Sequence, residues 1–277
     1  MTMTGDGSEE AIEPAPLELN TNVPQSARVY DYWLGGKDNF PADQAVAEAI
    51  AEQLPTIRDQ VRAQRAFLGR AVRYLARDAG IRQFLDIGTG IPSAGNVHDV
   101  AQQFAPDARV LYVDNDPIVL LHARALRPST PQGRVSFIQA DLREPETILG
   151  APELRQTLDL SEPVGLVLIG VIHHLRDDDD PRGIVATLLE ALAPGSHLVL
   201  TQSTPDFDPE AMRGLAAASE QGGIPNVPRS FADTAPFFAG LERVEPGLVR
   251  LADWRPDPGS EQPRVPIHAY GGVGRKP

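Results

Sequence analysis

The chain has 277 residues, no cysteine, 42% hydrophobic residues and a formal net charge of -13. Its length and apolar content support a sizeable buried core, while its charge opposes binding to nucleic-acid phosphates and anionic membrane surfaces. The lack of cysteine removes disulfides, thiolate metal sites and cysteine nucleophiles, and fits a reducing, cytoplasmic setting.

Residues 1–24 are acidic, polar and proline-containing, with no periodicity, and read as a flexible lead-in. From residue 25 to about residue 80 apolar side chains recur at helical spacing, as in Phe67, Leu68, Ala71, Val72 and Leu75, which predicts a helical cap. Residues 81–277 then alternate short apolar runs with helical stretches. The candidate strands are Gln83 to Ile87, Val110 to Val113, Val135 to Ile138, Val164 to Ile169 and His197 to Thr201. Such alternation predicts βαβ units and a doubly wound, mostly parallel α/β sheet covered on both faces.

Helix starts are predicted at Asn96 with Asp99, at Asp116-Pro117, and at Asp180-Pro181 before a helix through Ile184, Leu188 and Leu192 that Pro194-Gly195 ends. Residues 205–240 read as an insertion of helices and loops. Two further strands are expected, at Leu248 to Trp254 and at Ile267 to Val273. The longest apolar run, Leu166 to Ile172, is far too short to span a membrane.

Phe84-Leu85-Asp86-Ile87-Gly88-Thr89-Gly90 is a strand entering an acidic residue and a glycine turn ahead of a helix. Glycine lets the backbone turn tightly against a ligand, and a helix N-terminus presents free N–H groups to an anion. The second strand ends in Asp114, where a carboxylate can accept both hydroxyls of a ribose. The third ends in Ala140-Asp141-Leu142, placing another carboxylate on the same sheet edge, within reach of an exocyclic amine such as that of adenine. An NAD site competes for this pattern, but its fingerprint needs glycine where Ser93 stands.

An acidic residue two positions before the first glycine is what class I S-adenosylmethionine-dependent methyltransferases have, and residues 82–202 resemble that superfamily. Val171-Ile172-His173-His174-Leu175-Arg176-Asp177 and Leu192-Ala193-Pro194-Gly195-Ser196-His197 resemble the segments around its fourth and fifth strands. A narrower resemblance lies in Ala27-Arg28-Val29-Tyr30-Asp31-Tyr32-Trp33-Leu34-Gly35-Gly36-Lys37-Asp38-Asn39-Phe40, with Arg65-Ala66-Phe67-Leu68, Tyr112-Val113-Asp114-Asn115-Asp116-Pro117 and His268-Ala269-Tyr270-Gly271-Gly272. These segments are similar to an actinobacterial family, long catalogued as a domain of unknown function and now described as S-adenosylmethionine-dependent methyltransferases. The resemblance implies a seven-stranded Rossmann-like sheet, S-adenosylmethionine as cofactor, and methyl transfer to an acceptor it does not identify. It puts Asp86, Gly88 and Gly90 around the methionine end, Asp114 at the ribose, Asp141 with Leu142 at the adenine, and Asn115 beside the adenine face.

Tyr30, Tyr32 and Trp33 offer rings that either face the sulfonium or pack the cap on the sheet, and Gly35-Gly36 permits close backbone approach. Lys37 or Arg65 is a partner for a carboxylate of the cofactor or for an anionic acceptor. His173 and His174 follow the fourth strand, where either a general base for a hydroxyl or amine acceptor or a packing role fits. Four consecutive aspartates, Asp177 to Asp180, cannot all face one ion, so no metal is expected. Phe207, Met212, Phe231, Phe237 and Phe238 are candidates for an acceptor surface, or for core. The Asn/Asp-Pro-Pro-aromatic run of nucleobase-amine methylation is missing, which together with the charge favours a small-molecule acceptor over nucleic acid. An NAD-linked oxidoreductase and a noncatalytic S-adenosylmethionine-binding protein are the competing readings.

Overall fold

The computed structural model describes residues 20–123, 128–259 and 263–277. Residues 1–19 of the expected lead-in lie outside the described residues. Residues 20–24 form a turn in which the Val23 carbonyl accepts from Arg28 Nη2 at 3.0 Å.

Three helices follow: α1 (Ser26–Leu34), α2 (Pro41–Gln53) and α3 (Ile57–Arg73). Phe67, Leu68, Ala71 and Val72 of α3, with Leu75 beyond it, are buried, as their 3–4 residue spacing requires. The sheet then begins with five parallel strands: β1 (Gln83–Ile87), β2 (Arg109–Asp114), β3 (Arg134–Gln139), β4 (Gly165–Leu168) and β5 (His197–Ser203). Their crossovers carry α4 (Val97–Phe104), α5 (Pro117–Ala123), α6 (Pro145–Gly150), α7 (Pro152–Thr157) and α8 (Pro181–Glu190). After β5 come α9 (Pro209–Gln221), α10 (Phe231–Thr234), β6 (Glu242–Arg243), β7 (Val249–Arg250) and β8 (Ala269–Arg275).

The strand order is β3-β2-β1-β4-β5-β8-β6, with β7 also on β8. β8 runs antiparallel to β5, and the two-residue strands β6 and β7 pair with opposite ends of β8, so eight strands fill seven positions. This is the doubly wound, Rossmann-like sheet the sequence implies, with its last position split.

Two local expectations need correction. The stretch Leu248 to Trp254 contributes only Val249–Arg250 as strand; Leu251–Asp253 form a 3₁₀ turn that sinks Trp254 against Phe67, ring centroids 5.4 Å apart. Removing that fully buried indole would cost about 3–5 kcal/mol, which is why core packing overrides continuation of the strand. Helix α8 stops at Glu190, before Leu192, because Lys276 Nζ donates to the carbonyls of Leu189 (2.7 Å) and Leu192 (2.6 Å) and closes the helix end.

The other helix starts agree with the sequence. Asp99 accepts from the Asn96 N–H at 3.0 Å, Asp116 from Ile118 at 2.9 Å, and Asp180 from Gly183 at 3.1 Å.

Alternation along the parallel strands divides the core in two. Leu85, Ile87, Leu111, Val113, Leu166 and Leu168 face one layer, while Phe84, Val110, Tyr112 and Val167 face the layer that contains Phe67, Leu75 and Val97. Asp86 falls between Leu85 and Ile87 and therefore projects to the α3 side at the carboxyl end of β1. A third cluster joins Val46, Ile50 and Leu54 to Met212, Leu215 and Ile224, so α2 packs on α9 although some 160 residues separate them. Among the described residues no helix is long and apolar enough to cross a membrane.

Candidate functional site

The carboxyl ends of the parallel strands open into a cavity of about 560 Å³, within the range of small-molecule sites. Val23 and Pro24, the cap helices, the strand ends, α9 and the loop after it line this cavity. In an open α/β sheet this edge is where ligands bind, beside the switch in strand order between β1 and β4.

Asp86, 5% exposed, lies at the end of β1 and lines the cavity. Among the described residues its carboxylate accepts one hydrogen bond, from the Thr89 hydroxyl at 3.2 Å, and forms no ion pair. Burial pushes its carboxyl up to about 7, with Asp114 nearby adding to the effect and Arg65 and Thr89 opposing it. Gly88 and Gly90 both take positive φ, +73° and +68°. A Cβ on Gly88 would lie 2.5 Å from Val171, whereas one on Gly90 would meet nothing within 4 Å.

Asp114 ends β2. Its Oδ2 accepts from the Gly90 N–H at 2.8 Å and its Oδ1 from the Asp116 N–H at 3.0 Å. Burial raises this carboxyl to about 6 despite those bonds. The Asn115 N–H also acts on this carboxylate, which still has capacity for a hydroxyl donor.

Asp141 lies beyond β3 and also lines the cavity. Arg143 binds it through Nε at 2.9 Å and Nη2 at 2.6 Å, and Asn115 Nδ2 donates at 3.1 Å. The Arg143 hydrogen bonds hold this carboxyl down at about 2. Asn115 and the buried Leu142 complete that corner. The three acidic strand ends thus converge on one cavity, with Asp141 already engaged by Arg143.

The cap contributes Tyr30, whose hydroxyl donates to the Val61 carbonyl at 3.1 Å, and Trp33, whose Nε1 donates to Ala47 at 3.1 Å. Burial raises the Tyr30 phenol, so it stays neutral. Arg65 lines the cavity and donates to the Ala94 carbonyl at 2.9 Å, beside the glycine turn. Tyr32, Gly35, Gly36 and Lys37 do not line it. Gly35, at φ 83°, ends α1, and a Cβ on Gly36 would fall 1.9 Å from Asp31, whose carboxylate binds the Asp38 N–H and Asn39. Lys37 is exposed, and Tyr32 donates to Glu48 at 2.5 Å beneath the Arg58 guanidinium.

His173 and His174 follow β4 as a short 3₁₀ turn, with ring centroids 4.3 Å apart. His174 Nδ1 lies 2.7 Å from the Pro225 carbonyl, which can only accept, so the proton sits on Nδ1 and Nε2 keeps its lone pair. Burial lowers both imidazoles, His173 well below the ordinary histidine value, so both are neutral at physiological pH. The aspartate run serves structure: Asp180 caps α8, and Asp177 pairs with buried Arg229 at 2.8 Å.

Several cavity residues were not among the expected site residues, Gln64 and His268 among them. The Gln64 side chain, on a residue 8% exposed, makes no hydrogen bond among the described residues although it lines the cavity; a polar residue on the apolar face of α3 was its signal. His268, just before β8, stands in a family-like run, but nothing in that run places it in the cavity, since the antiparallel return of β8 brings it to this edge. Of the five insertion residues, Met212 alone lines the cavity. Phe237 and Phe238 are core, and Phe207 and Phe231 pack edge-on against Tyr270.

Residues 12–277 match the family described as S-adenosyl methyltransferase. Among solved structures, a DUF574 family protein from Streptomyces avermitilis is 46% identical with a TM-score of 0.90, covering 93% of this chain and 99% of that one. A candidate methyltransferase from Thermobifida fusca is 40% identical with a TM-score of 0.86, over 96% and 99%. An O-methyltransferase family protein from Burkholderia thailandensis, 16% identical at a TM-score of 0.50 over 89% and 70%, shares the fold alone. No curated protein matches the chain.

Proposed function

The chain belongs to the S-adenosyl methyltransferase family and is an S-adenosylmethionine-dependent methyltransferase; from that premise, we propose that it methylates a small-molecule acceptor held beside the cofactor in the strand-end cavity. The observation that carries this reading is Asp86, a buried carboxylate that faces the cavity and forms no ion pair among the described residues. Such a group is costly until a cation meets it, and the α-ammonium of S-adenosylmethionine is one.

Bound there, S-adenosylmethionine supplies an electrophilic methyl group on a cationic sulfur. Asp86 holds its ammonium, and Gly88 and Gly90 let the chain lie close to its methionine end. Arg65 faces its carboxylate, and Asp114 accepts the ribose hydroxyls. Asp141, Leu142 and Asn115 would form the adenine corner, with Asp141 the acceptor for the adenine amine. Tyr30 and Trp33 cover the cavity from the cap and exclude water. His174 Nε2 takes the proton the acceptor releases, and His173 packs against it to fix its ring.

The test is calorimetric titration of the full chain with S-adenosylmethionine, S-adenosylhomocysteine and NAD, repeated on Asp86→Ala and Asp114→Ala. Both adenosyl compounds bind, NAD does not, and each substitution weakens them. Full affinity in Asp86→Ala would sink the assignment of the site. Incubating the protein and labelled S-adenosylmethionine with cell extract, followed by mass spectrometry, identifies the acceptor.

A further inference from the structure

The strand order splits the cavity into two unlike halves. All three aspartates stand at the ends of β1, β2 and beyond β3, on one side of the β1–β4 boundary. The ends of β4, β5 and β8 carry His173, His174, Ser203 and His268. Neighbouring strands lie about 4.8 Å apart, so this second half extends well beyond the reach of a nucleotide held over β1–β3.

That second half contains no acid among its described lining residues, and its one cationic side chain, Arg176, is clasped at the rim by both oxygens of Glu220 at 2.7 and 2.9 Å. Its roof is apolar: Ile50 and Leu54 of α2, Ile57 of α3, Met212 and Leu215 of α9, and Ile224. The histidines offer no charge, since burial lowers all three. The open polar contacts are neutral, with His174 Nε2 an acceptor and the Gln64 amide unspent.

Resting on the methyl-transfer reading above, we infer that the acceptor is an uncharged, largely apolar molecule that lies under the α2–α9 roof and donates one hydroxyl to His174 Nε2. A charged acceptor would leave water there without meeting an opposite charge, which disfavours it strongly. An apolar body gains from the roof in proportion to the area it covers.

Titrations of the full chain saturated with S-adenosylhomocysteine test this, using a naphthol, naphthalene, the matching naphthoate and the matching naphthylmethylammonium as probes. The naphthol binds about tenfold or more tightly than either ion. It also outbinds naphthalene, and in His174→Ala that advantage disappears while S-adenosylhomocysteine still binds. Equal or tighter binding of either ion overturns the inference, as does an advantage of naphthol that survives in His174→Ala. Binding of S-adenosylhomocysteine without binding of naphthol overturns it too, leaving the cofactor site intact. Failure of S-adenosylhomocysteine to bind defeats the parent reading and this inference together.

Discussion

Arg28 Nε lies 3.1 Å from Asp116 Oδ2, an ion pair with both side chains almost wholly buried that ties the first cap helix to the end of β2. The same guanidinium lies 3.6 Å from Asp43 of α2, and the Asp116 N–H donates to Asp114. The cap and the carboxylate proposed to hold the ribose are thereby one connected unit. Arg28→Met leaves two buried carboxylates without their cation, so a loss of about 3–5 kcal/mol is expected in denaturant unfolding. Affinity for S-adenosylhomocysteine falls with it. A loss below about 1 kcal/mol would mean that the pair contributes little.

Asp86 carries its carboxyl at about 7 in the ligand-free protein. The proton is held more tightly folded than unfolded, so this group's contribution to stability is full below about pH 4 and is lost as pH rises through 7. A ligand ammonium requires the ionised form. Binding of S-adenosylhomocysteine therefore releases close to one proton at pH 6 and far less at pH 8, as read by calorimetry in buffers of different ionisation heat. Absence of release at pH 6 would separate Asp86 from the ammonium.

His174→Ala lowers methyl transfer to the acceptor found in cell extract by about 10²–10⁴-fold, with S-adenosylhomocysteine affinity nearly unchanged. Because burial depresses His174, the wild-type rate falls on acidification only below the ordinary histidine range. That acid limb is absent from the variant. A variant of normal rate would return the imidazole to a packing role.

Gly88→Ala and Gly90→Ala separate backbone strain from crowding. Each places a side chain at positive φ, costing about 1–2 kcal/mol. Only Gly88→Ala also drives a methyl into Val171, so its unfolding midpoint drops further. Gly90→Ala, whose methyl enters open space at the turn, loses ligand affinity. Equal stability losses would show that Val171 moves aside.

The sequence makes the five parallel strands readable because strands buried on both faces are continuous apolar runs, and their acidic ends mark the ligand edge. β6 is unreadable, since Glu242 and Arg243 are two exposed charged residues whose pairing is decided by β8. The aromatic and glycine run from Tyr30 to Phe40 offers rings and close backbone approach to a ligand, yet Gly35 and Gly36 serve the turn around Asp31, and of this run Tyr30 and Trp33 reach the cavity. His268 opens a family-like run, yet its place in the cavity comes from the tertiary return of β8, which the run itself does not reveal.

α2 and α9 meet over the strand ends, so on the proposed placement they supply most of the apolar surface above the acceptor, whereas the three aspartates proposed to engage the methyl donor stand at the ends of β1–β3. Substitutions at Ile50, Leu54, Met212 or Leu215 can therefore retune which molecule is modified while the donor apparatus stays intact. On that placement selectivity is portable, carried chiefly by two helices that can be redesigned as a pair.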